Sequence, residues 1–123
     1  MILSSYVLDG ETPSKKNNRI GLRSCKNIPS EKYRKWLQAK KIELFRQGIL
    51  CPPIEKPVKI SFLFYHKDER TRDTDNQISS ILDLLKDSKV IKDDNWKIVR
   101  AISAYAAHAE TACVKVLIES FLF

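Results

Sequence analysis

Residues 58–87, VKISFLFYHKDERTRDTDNQISSILDLLKD, change hydrophobic period part-way along, and that change decides the fold. In the first nine residues Val58, Ile60, Phe62 and Phe64 alternate with Lys59, Ser61, Leu63 and Tyr65, the period-two pattern of a strand with one buried face. Further on, Ile78, Ile81, Leu82 and Leu85 fall at i, i+3, i+4 and i+7, one stripe of a helix predicted over Thr74–Lys86. A strand that passes through a polar turn into an amphipathic helix must pack that helix on a sheet to bury both apolar faces.

Outward from this unit, ILSSYVLDG (residues 2–10) reads as a first strand ended by the turn signal Asp9-Gly10. Residues 11–30 have no sustained period, two prolines and many polar residues, so they read as a long basic loop. Ser30 is placed as an N-cap with Glu31 in the first turn, and the helix it starts is predicted to reach Gln47, where Gly48 ends it. Residues 96–107 and 112–122 favour strands, with HAET between them as the turn of an antiparallel hairpin. The expectation is α+β: one domain over residues 1–123, in the order β-α-β-α-β-β, with a small mixed sheet carrying its helices on one face.

The chain has 123 residues, 43% hydrophobic and 30% charged, which suits one apolar core and argues against disorder. No apolar run approaches the roughly 18 residues needed to span a bilayer, and MILSSYVLDG lacks a basic leader followed by a long apolar region. Cys25, Cys51 and Cys113 are odd in number and far apart, which fits a reducing cytoplasm better than disulfides or a zinc site.

The formal net charge of +7 is unevenly spread. Between Pro13 and Lys41 ten Lys and Arg residues face a single acid, Glu31, whereas Asp73, Asp75, Asp83, Asp87, Asp93 and Asp94 crowd one later segment. Clustered Lys and Arg can solubilise, or can replace counterions on nucleic-acid phosphates. Asp73 and Asp75, one residue apart where the chain enters a helix, can aim hard oxygens at one cation, and Asp93 and Asp94 in KDDN offer a second source of carboxylates. Aspartates at such positions also cap helices and fix turns, and that reading stands beside the metal. A calcium loop is excluded, since Ile78 and Leu84 stand where its glycine and closing glutamate belong. Carboxylate-held Mg²⁺ within basic surroundings is what phosphodiester cleavage requires.

RDTDN, ILDLL and VIKDDNWKIV together resemble the pattern of the RusA-like Holliday junction resolvases, small endonucleases of bacteria and their phages. TPSKKNN is similar, more loosely, to the family's N-terminal loop. The resemblance implies a cytoplasmic homodimer that uses Mg²⁺, with Mn²⁺ as a substitute, to cut a four-way DNA junction by paired symmetric nicks in recombination and repair. It makes Asp73, Asp75 and Asp94 the catalytic, metal-binding carboxylates, with Asn76, Asp83 and Asp93 as matching neighbours. Lys15, Lys16, Asn17 and Arg19 from the basic loop, with Arg70 and Arg72 beside Asp73, are the DNA-contacting candidates. Ser79 departs from the pattern, for the family usually places a lysine there. Lys86, two turns further along the same helical face, is one substitute for the missing charge. The departure also supports an alternative, a catalytically weakened protein of the same fold that binds branched DNA without cutting it. A third reading is an interaction protein whose acidic segment is structural.

Overall fold

The computed structural model describes residues 1–14, 19–21, 27–29 and 31–122. Its elements are β1 (Ile2–Asp9), β2 (Arg19–Gly21), β3 (Asn27–Pro29), α1 (Glu31–Gln47), β4 (Val58–His66), α2 (Thr74–Asp87), β5 (Val99–His108) and β6 (Cys113–Ser120). The larger elements follow the expected β-α-β-α-β-β order, and the class is α+β. The stretch read as loop contains a small addition, β2 and β3, which pair antiparallel with Arg19 opposite Pro29. Strands of three residues are too short to leave a period in sequence. Ser30, the expected cap of α1, lies outside the described residues. Gly48 ends α1 as expected: its φ of 101° is open to glycine, and its N–H donates to Leu44 O at 3.1 Å.

β1, β6, β4 and β5 form one sheet in that order, with β4 parallel to β5 and antiparallel to β6. The expected hairpin between the last two strands is therefore corrected, because β5 and β6 lie on opposite sides of β4. Residues 109–112 pass over the end of β4, where Ala109 N–H donates to His66 O at 2.9 Å. Four residues can span two strand spacings, roughly 10 Å, so the connection length alone fits either arrangement. On the core side β6 offers Val114, Val116 and Ile118, all fully buried, whereas β5 offers Ile102, Ala104 and Ala106 and is left at the edge.

Val58, Ile60, Phe62 and Phe64 are buried against Tyr6 and Leu8 of β1, Leu44 of α1 and Ile81, Leu84 and Leu85 of α2. Full burial of such side chains stabilises by about 1.5–3 kcal/mol each, before the entropy of ordering is charged against it. The buried stripe of α2 is rotated from the expected one. It runs through Gln77, Ser80, Ile81, Leu84 and Leu85, while Ile78 and Leu82 are only partly covered. Two polar residues therefore occupy core positions, and their partners explain why: Gln77 Nε2 donates to Thr12 O at 2.8 Å and Ser80 Oγ to Pro13 O at 2.6 Å. These bonds fasten the start of the basic segment to the helix.

Candidate metal and nucleic-acid site

The parallel β4–α2–β5 unit places the acidic residues. β4 ends at His66, a seven-residue connection turns the chain, and Asp73 takes the N-cap position of α2. Its backbone is extended, with φ −85° and ψ 109°, but its carboxylate makes no hydrogen bond to the helix N–H groups. Asp73 Oδ2 instead accepts from Asn76 Nδ2 at 3.2 Å, so Asn76 orients the carboxylate and leaves it outside the helix. Asp75 is exposed in the first turn. Capping is thus not the work of the Asp73 side chain.

The connection before Asp73 is braced by charge. Arg72 donates through Nη1 and Nη2 to both oxygens of Asp68, at 2.7 and 3.2 Å, and its Nε lies 3.6 Å from Glu11 Oε1. The Arg72 guanidinium, helped by the Arg70 backbone N–H, lowers the Asp68 pKa to about 2. His66 Nδ1 shares Glu11 Oε1 at 2.8 Å. Arg72, expected to face DNA, is only 17% exposed and is engaged within the protein. Arg70 is exposed beside it.

Further along α2, Ser79 is exposed and its Oγ donates back to Asp75 O at 3.2 Å. Asp83 Oδ2 accepts the Tyr33 hydroxyl at 2.9 Å. Burial, then the Asp83 carboxylate, pushes the Tyr33 phenol far above its ordinary range, so it remains a donor. Lys86 Nζ sits 3.8 Å from Asp93 Oδ1. Asp93 also accepts from Asn95 Nδ2 and from Asp94 N–H, both at 2.8 Å, and these bonds hold its carboxyl below the usual carboxylate range. Asp93 thus builds a turn on which Asp94 stands exposed.

Asp73, Asp75 and Asp94 are not drawn together. Among the described residues no three His, Cys, Asp or Glu side chains form a group that could hold a metal ion. Asp73 and Asp75 lie at the first turn of α2, while Asp93, which builds the Asp94 turn, lies beside Lys86 in its last. Asp75 and Lys86 are eleven residues apart, roughly 16 Å along the axis. Lys15, Lys16 and Asn17 lie outside the described residues, and Arg19 opens β2.

Beside Asp73 is a cavity of about 390 Å³, lined by Glu11, Thr12, Lys32, Trp36, Arg70 and Gln77 among others. Sequence reasoning missed Glu11, Lys32, Trp36 and Gln77. The available signal was Gln77 itself, a polar residue four positions before Ile81 and so on the buried stripe.

The family model for Endodeoxyribonuclease RusA matches residues 9–119, nearly the whole chain and all of the acidic segment. This chain belongs to the RusA family. RusA endodeoxyribonucleases act on branched DNA as Holliday junction resolvases and generally depend on a divalent metal. No curated protein matches the chain. No helix among the described residues is long and apolar enough to cross a membrane.

Proposed function

We propose that this RusA-family chain is a Mg²⁺-dependent endonuclease that resolves four-way DNA junctions by paired symmetric nicks, acting as a homodimer. The observation that carries this reading is the exposed Asp73–Asp75 pair at the entry to α2, with the Asp73 carboxylate making no capping bond to the helix N–H groups. Hard carboxylate oxygens fit Mg²⁺, which when bound polarises a phosphoryl oxygen and lowers the pKa of a bound water. Asp73 and Asp75 would hold the metal, and Asn76 fixes the Asp73 oxygens for that task. Mn²⁺, with similar ligand preferences, would substitute.

Asp94 is the third ligand of the proposed site, and the length of α2 argues that it arrives from a second copy. A two-fold dimer with its α2 helices antiparallel would bring the first turn of one protomer beside the Asp94 turn of the other, and would do so twice. Two equivalent sites suit two symmetric nicks. The positive charge that Ser79 does not supply would come from Lys32 or Arg70, which line the cavity beside Asp73, or from Lys15 and Lys16. Lys86 suits that task poorly because it is paired with Asp93.

The deciding experiment incubates a synthetic four-way junction with the protein and Mg²⁺, with Asp75→Asn as the control. Paired nicks above the control are expected, and none would sink the reading. Ser79 favours one other function, a junction-binding protein with weakened catalysis. That protein would bind in a salt-dependent way and cut no faster than Asp75→Asn.

A further inference from the structure

The cavity beside Asp73 contains a polar group that the metal site leaves unused. Gln77 is 2% exposed, and its Nε2 donates to Thr12 O at 2.8 Å. That bond fixes the amide's orientation, because exchanging N and O would set Oε1 against a carbonyl oxygen. Gln77 Oε1 is therefore an acceptor, buried and without a partner among the described residues, as is Glu11 Oε2. Both residues line the cavity. A buried acceptor left unmet is costly, so these two ask for a ligand that brings N–H or O–H donors. A phosphate alone offers only acceptors and would suit the exposed cations Lys32 and Arg70, which line the same cavity.

One ligand class carries both kinds of group. A nucleotide presents phosphate oxygens at one end and base N–H groups at the other, with a flat aromatic face between. Trp36 lines the cavity, half-buried, with its ring stacked on Tyr33 at a centroid distance of 5.7 Å. A volume of about 390 Å³ lies within the range of small-ligand pockets. We propose that this cavity receives one unstacked nucleobase of a branched DNA, with Gln77 Oε1 accepting from the base, Trp36 packing on its face, and Lys32 and Arg70 meeting the adjoining phosphates.

This proposal rests on the branched-DNA reading and gives it a physical basis for selectivity. In duplex DNA the base N–H groups are paired and stacked, and extracting one costs pairing and stacking together. At a branch point that cost is smaller, so a pocket that demands an unpaired base favours a junction over a linear duplex.

The test measures binding in EDTA, so that cleavage plays no part. A four-way junction is prepared with a tetrahydrofuran abasic residue at each nucleotide around the branch point in turn. Full-length wild-type protein should lose about 5- to 100-fold in affinity when one particular base is removed, the range expected for a stacked base. Gln77→Leu and Trp36→Leu should lose a similar factor on the intact junction and should no longer respond to that abasic position. Two variants are used because Gln77→Leu also frees Thr12 O and can unfold the chain, whereas Trp36→Leu keeps that bond. If wild type and folded variants respond alike to every abasic position, the cavity holds water only, and the base pocket is overturned while the junction reading stands. If the wild type binds no junction, that reading itself fails and the pocket fails with it.

Discussion

Lys86 Nζ lies 3.8 Å from Asp93 Oδ1 in the last turn of α2, while Asp73 and Asp75 stand at its first. This contact puts the second group of acids at the end of the helix away from the first. A RusA-family site that uses both groups must therefore bridge the length of a 14-residue helix.

The proposed two-copy site predicts complementation. Asp75→Asn and Asp94→Asn should each be inactive alone. In an equal mixture that has exchanged subunits, a heterodimer combines the intact Asp75 of one chain with the intact Asp94 of the other, restoring one site in two. Single nicks in the junction, without paired resolution, are the expected product on a sequencing gel. If every site were built within one chain, both sites of the heterodimer would carry a defect and the mixture would stay inactive.

Ser79 supplies a second test. Its hydroxyl is a neutral donor one turn beyond Asp75, and Ser79→Lys should raise single-turnover cleavage by about tenfold or more, through a positive charge on the phosphate or its leaving oxygen. Lys86→Ala should change the rate by less than about threefold if Lys86 acts only on Asp93. An unchanged rate in Ser79→Lys would indicate that another cation already supplies the charge.

The Asp68–Arg72 pair predicts a pH effect of known sign. The folded-state pKa of Asp68 is depressed to about 2 by the Arg72 guanidinium, so the pair stabilises the fold above the ordinary aspartate range and loses that contribution as pH falls towards 2. Carboxyl NMR should give a midpoint of about 2 for Asp68. In Arg72→Gln the midpoint should rise into the ordinary range, and a midpoint that stays put would exclude Arg72 as the cause.

The core makes a stability prediction. Phe62 is 1% exposed at the centre of β4, and Phe62→Ala should cost about 3–5 kcal/mol in urea unfolding. Tyr33→Phe removes the donor to Asp83 and should cost about 1–2 kcal/mol, with junction binding within about twofold of wild type.

What could be read from sequence follows from how far each physical signal reaches. The period change between Tyr65 and Ile78 is local, so β4, α2 and the α+β class were legible, and Gly48 marked the end of α1 for the same reason. Strand order was not, because the four residues between β5 and β6 fit either a hairpin or a passage over the end of β4, and β4 lies more than 30 residues upstream of β5. The acidic residues were legible as candidates, but their separation was hidden in the length of α2. The spacing of Gln77 from Ile81 marked it as a polar residue on the buried stripe, but the partners of Gln77 and Ser80, Thr12 and Pro13, were hidden because they lie more than 60 residues away.

The passage of residues 109–112 over the end of β4 also orders events in time. It delivers β6 between β1 and β4, so two of the three contacts within the four-stranded sheet wait for the last strand. During synthesis β1 has no neighbour in that sheet until residues 113–120 emerge, and β4 can pair only with β5 until then. The nascent chain must therefore carry an open, strongly apolar strand edge from the completion of β4 at His66 until β6 emerges, which makes that interval the time of greatest aggregation risk.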